Sequence, residues 1–88
     1  MYDILYSKTA LKEIPKLKAA RLDGKAKALI EILQVNPFQT PPSYEKLVGD
    51  LDGLYCRRIN AQHRLVYEVC EANRTVKIYS MLTHYERL

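Results

Sequence analysis

Residues 54–70 read LYCRRINAQHRLVYEVC. Two β-rich runs, 54–59 and 64–69, flank the short polar segment 60–63, the pattern of an antiparallel hairpin closed by a four-residue turn. Setting Ile59 opposite Arg64 puts Arg58 opposite Leu65, Arg57 opposite Val66 and Cys56 opposite Tyr67. Side chains alternate between the faces of a strand, so Tyr55, Arg57, Ile59, Arg64, Val66 and Glu68 then share one face. Leu54, Cys56, Arg58, Leu65, Tyr67 and Val69 share the other, which is the expected core side. Each strand brings arginine to the turn end. A guanidinium on a rigid sheet suits a phosphate ligand, because its planar fork stays charged and donates two parallel hydrogen bonds. The same arginines also read as a solvated basic turn, an ordinary setting for this residue.

Downstream, Asn73 marks a turn before a last β run over 75–84, in which Val76, Ile78, Ser80, Leu82 and His84 alternate with Lys77, Tyr79, Met81, Thr83 and Tyr85. Upstream lie a short β run, 45–47, and the turn region 49–53. The chain opens on a strand over 2–6, after which Ser7 can cap a helix with Ala10, Leu11, Ile14 and Leu17 on its apolar side and lysines on the other. Pro15 falls inside that helix and predicts a kink or a break into two pieces. Asp23 can cap a second helix whose stripe is Ala26, Leu29, Ile30 and Leu33. Asn36 and Pro37 end it, and the segment 36–43, NPFQTPPS, reads as a connector that delivers the chain to Tyr44. The order predicts an α+β fold, a twisted antiparallel sheet with the two N-terminal helices packed on one face.

The 88 residues make one domain, 1–88, with room for a single core. Fourteen Lys and Arg against ten Asp and Glu leave a net charge of +4, which favours an anionic partner, nucleic acid first. No apolar run approaches the roughly 20 residues of a membrane span, and the expectation is a cytoplasmic protein without membrane contact. Cys56 and Cys70 fall out of register in the hairpin and read as buried thiols. No nucleotide-binding glycine motif or metal-ligand spacing appears, so no cofactor and no metal site is expected.

Four groups remain that could do chemistry: Glu45 at a strand start, Arg64 at a hairpin strand, and His84 with Tyr85 at the end of the last strand. Taken singly, Glu45 is an ordinary surface glutamate and His84 an ordinary near-terminal histidine. Only a sheet that gathers these strand ends at one rim would bring carboxylate, guanidinium and imidazole together.

Arg57-Arg58-Ile59, a turn, and His63-Arg64-Leu65-Val66-Tyr67, followed by a C-terminal His84-Tyr85, resemble the signature of the Txe/YoeB toxins of the RelE superfamily. The resemblance extends through Pro37-Phe38, Glu45-Lys46-Leu47 and the 51–55 approach to the hairpin, and so covers nearly the whole chain. It implies a small microbial-ribonuclease-like fold and a ribosome-dependent mRNA endoribonuclease held inactive by a cognate antitoxin, small, acidic and partly disordered. Carried over by position, the catalytic residues are Glu45 as base, Arg64 as the phosphate cation, His84 as acid and Tyr85 beside it. Lys46, Arg57, Arg58 and His63 are the implied RNA contacts, with at most one of Arg57 and Arg58 on the Arg64 face. The implied partners are the antitoxin, the ribosome and mRNA, and the free protein is a monomer or a homodimer. Val48 stands where relatives carry a basic residue, and residues 86–88 extend past the usual His-Tyr end. Two other readings compete: a non-catalytic basic module that blocks translation by binding RNA or protein, and a superfamily relative with a non-ribosomal target such as topoisomerase.

Overall fold

The computed structural model describes residues 1–84, the His84 side chain excepted. Among them the order is β1 (Asp3–Tyr6), α1 (Lys8–Ala19), α2 (Asp23–Val35), β2 (Glu45–Lys46), a 3₁₀ turn (Gly49–Leu51), β3 (Leu54–Arg58), β4 (His63–Cys70) and β5 (Thr75–His84).

Ser7 caps α1 as its position suggests. Its Oγ accepts from the Ala10 N–H at 3.0 Å and donates to the Tyr79 carbonyl at 2.7 Å, tying the start of the helix to β5. The helix then runs through Pro15 without the break into two pieces that the proline could have caused. The carbonyl that loses its donor there belongs to Leu11, on a residue that is 52% exposed. Asp23 does not cap α2. The chain closes α1 with Leu22 N–H on the Leu17 carbonyl (2.8 Å) and Arg21 N–H on that of Lys18 (3.1 Å), a Schellman closure with Arg21 in the left-handed region at φ 59°. Helix α2 starts directly out of it, the cap position falls to Leu22, and Asp23 sits in the first turn, where its charge meets the helix dipole.

The five strands of the described residues form one sheet in the order β1-β5-β4-β3-β2. Pairings from β5 to β2 are antiparallel, while β1 runs parallel beside β5, with Asp3 opposite Thr75 and Tyr6 opposite Ile78. The sheet is thus mixed, and the long chain between β1 and β5, beginning with both helices, is the crossover that a parallel pair needs. Ala10, Leu17, Ala26, Leu29 and Leu33 of the helices pack on Ile59, Leu65, Tyr67, Val76, Ile78 and Met81 of the other face of the same core. A second cluster, Leu47, Cys56 and Val66 with Leu54 and Tyr79, covers part of the opposite face of the sheet.

The hairpin register differs by one residue from the expected one. Arg58 pairs with Arg64, Arg57 with Leu65, Cys56 with Val66 and Tyr55 with Tyr67. The turn decides it: Asn60 Oδ1 accepts from the N–H groups of Gln62 (2.9 Å) and His63 (2.7 Å), and Ile59 N–H closes on the His63 carbonyl at 2.9 Å. A one-residue slip exchanges faces. Tyr55, Arg57 and Ile59 therefore join Leu65 and Tyr67 on the helix side, and Cys56 and Arg58 face away with Arg64 and Val66. In β5 the simple alternation also fails, because register shifts between Arg64 and Tyr67 mark a bulge that turns Met81 into the core. The irregular stretch is held from α1, where the Glu13 carboxylate accepts from Met81 N–H at 2.7 Å and Ser80 Oγ at 3.1 Å.

Candidate active site

Where β2, β3 and β4 lie side by side, the sheet face away from the helices opens into a cleft of about 290 Å³ lined by Ser43, Tyr44, Glu45, Cys56, Arg58 and Arg64. Strand alternation puts these groups there: Glu45 pairs with Cys56, and Arg58 with Arg64. Arg64 Nη1 lies 3.0 Å from Glu45 Oε1 and also donates to Cys56 Sγ at 3.0 Å. The pair is asymmetric, with Arg64 4% and Glu45 62% exposed. Burial works against the guanidinium charge, but the Cys56 and Glu45 contacts outweigh it and its pKa is raised, so the cation persists at any working pH. A fixed, nearly dry cation beside an open carboxylate can hold a phosphoryl oxygen while the carboxylate reaches a neighbouring hydroxyl.

Six of the eight expected site residues have described side chains. Glu45 and Arg64 meet, and Arg58 lines the same cleft. Arg57 does not: at 1% exposure it lies on the helix side, its guanidinium taken up by the 36–43 loop, which removes it from the RNA contacts. The reason is the one-residue slip, which turns Arg57 rather than Arg58 inward. His63 is half-buried and outside the cleft lining. Lys46 is exposed, and alternation along β2 puts it on the face away from Glu45. His84 pairs through its backbone with His63, next to the Thr83–Arg64 pair, so the end of β5 runs beside the Arg64 end of β4. The His84 side chain and Tyr85 lie outside the described residues.

The sequence reading passed over Cys56, Ser43 and Tyr44. Cys56 would have been found from the correct register, since it stands two residues before Arg58 on the strand opposite Arg64. Ser43 and Tyr44 carry no local signal beyond preceding Glu45.

Residues 12–85 match the family described as the YoeB-like toxin of bacterial type II toxin-antitoxin systems. A YoeB toxin of Synechocystis sp. is 41% identical over 59 residues, an alignment that spans 67% of this chain and 66% of that protein, just under two thirds of it. The solved YoeB/ParE toxin of Agrobacterium tumefaciens superposes with a TM-score of 0.85 at 27% identity, covering 94% of this chain and 99% of that one. YoeB of Staphylococcus aureus is 31% identical, and its structure in a YoeB-YefM complex gives a TM-score of 0.80 over 97% of this chain and 99% of that one. The same toxin is also solved as a dimer, with a TM-score of 0.81 over 96% and 98%. This chain belongs to the YoeB-like toxins of bacterial type II toxin-antitoxin systems, in the RelE superfamily.

Proposed function

We propose that the protein is an endoribonuclease that cuts messenger RNA on the ribosome through the ribose 2′-OH, needing a base, a cation and an acid but no metal. The observation that carries the proposal is the 3.0 Å pair of a buried Arg64 and an exposed Glu45 at an open cleft. A bound phosphate takes over the hydrogen bonds of Arg64 and frees the Glu45 carboxylate. Glu45 accepts the 2′-OH proton, the 2′ oxygen bonds to the adjacent phosphorus, and the bond from phosphorus to the 5′ oxygen breaks. His84 supplies the proton to that leaving oxygen. The products are a 2′,3′-cyclic phosphate and a 5′-OH. Base and acid contribute about 10²- to 10⁴-fold each, and the rest must come from positioning and charge. Arg58, lining the cleft, is the backbone contact, and Tyr85 stacks on or donates to the substrate. The ribosome orders the messenger, which a cleft this open does not do alone, and work on ribosomes makes the protein cytoplasmic.

The inhibitor is an acidic, partly disordered antitoxin that folds onto the basic surface and covers the cleft. The Staphylococcus aureus relative, solved with YefM, supports such a partner, and its dimer supports a homodimer of the free toxin. The test compares purified wild type with Glu45→Gln and His84→Gln on messenger alone and on programmed ribosomes. Cleavage only with ribosomes, with 5′-OH ends and slowed about 10²- to 10⁴-fold in each variant, is expected. Growth arrest and ribosome binding that persist without cleavage in the wild type would instead establish a non-catalytic blocking module.

A further inference from the structure

Arg57 is the hairpin arginine that the cleft leaves unused. Its guanidinium donates through Nη1 to the Pro42 carbonyl (2.6 Å), through Nη2 to those of Pro37 (3.0 Å) and Gln39 (2.9 Å), and through Nε to Tyr67 Oη (3.3 Å). Tyr67 Oη in turn donates to the Pro37 carbonyl at 3.0 Å, and the guanidinium carbon lies 5.2 Å from the centre of the Tyr44 ring. All of these acceptors are neutral oxygens. A buried cation without a carboxylate is costly to keep, so the carbonyl dipoles must replace its hydration. The loop has a matching need. Its prolines lack N–H groups, and its inward carbonyls require donors from elsewhere.

This loop ends at Tyr44 and Glu45. Strand β2 is two residues long, too short to fix a side chain by pairing alone. Downstream, Leu47 anchors it by burial and by its N–H on the Leu54 carbonyl at 2.9 Å. Upstream the anchor is the loop gathered onto Arg57. We infer that Arg57 is a positioning residue for cleavage: by holding the 36–43 loop it sets where the Glu45 carboxylate stands relative to Arg64. Strand β3 thus serves both sides of the sheet, with Cys56 and Arg58 lining the cleft and Arg57 bracing the loop behind it. The inference rests on the proposed role of Glu45 as base.

The experiment uses the full chain with Arg57→Lys. A lysine keeps the charge but offers one compact donor group, which cannot span the three carbonyls that the planar fork reaches. Amide exchange over 38–45 should rise while that of α1 and α2 is unchanged. Single-turnover cleavage on programmed ribosomes should fall about 10²-fold, the cost of a displacement near 1 Å, with ribosome affinity unaltered. In a Glu45→Gln background the same substitution should lower cleavage no further, because it acts through the group already removed. Unchanged loop exchange overturns the inference, as does an additive loss or a loss expressed in ribosome affinity. Should Arg57→Lys not fold, Tyr67→Phe removes the hydroxyl shared by Arg57 and Pro37, and loop exchange at the wild-type rate in that variant overturns it equally. A wild type that does not cleave would sink the nuclease reading, while loop exchange would still decide whether Arg57 holds the loop.

Discussion

Replacing Arg64 with Met removes the cation and keeps much of the side-chain volume. In the proposed reaction the guanidinium faces charge gathering on the phosphoryl oxygens, and at 4% exposure little water screens it. Losing a preorganised donor of this kind costs about 10²- to 10³-fold in rate, or roughly 2.7–4 kcal/mol. The effect on folding should be much smaller. Glu45 is 62% exposed, so breaking its ion pair costs no more than about 1 kcal/mol. Placing an apolar side chain beside Cys56 and Val66 also relieves the desolvation of a buried charge. Tm should therefore stay within about 4–8 °C of wild type. Single-turnover cleavage at saturating enzyme on programmed ribosomes measures the chemical step, and thermal unfolding confirms the fold. A folded Arg64→Met protein that cuts within about tenfold of wild type, a difference of 1.4 kcal/mol, would refute the reasoning.

Three further outcomes follow from the fold. Arg21→Gly should stabilise the protein by about 1 kcal/mol, read as a higher urea midpoint, because the α1 closure holds an L-residue at φ 59°. Glu13→Ala should cost about 1.5–3 kcal/mol through the loss of charge-assisted bonds to Met81 and Ser80, and the Met81 amide should exchange faster. Burial pushes the Tyr67 phenol up to about 12, against the opposing pull of Arg57. Its proton is held more tightly in the folded state, so this contribution is complete below pH 10 and is lost as pH rises through 10 towards 12. Urea titrations at stepwise alkaline pH should show a steeper fall for wild type than for Tyr67→Phe.

Both faces of β3 and β4 carry apolar residues, because Leu47, Cys56 and Val66 cover one as the helices cover the other. Alternation therefore could not choose between two registers that differ by one residue. A single Asn60 side chain chose, and with it which arginine faces the cleft. Whether Pro15 would break its helix was undecided for a related reason: its cost depends on whether the orphaned carbonyl meets water or protein, which is decided outside the helix.

Element order, the two helical stripes and the likeness of the Arg57–Tyr67 segment and His84-Tyr85 to the toxin family were written in the chain itself, because local periodicity and residue chemistry need no partner to be expressed. The meeting of Glu45 with Arg64, the parallel edge at β1 and the inward turn of Arg57 came only with tertiary structure. Each depends on pairing between segments distant in sequence, and such pairing is settled by turn hydrogen bonds and by burial on both faces of the sheet at once.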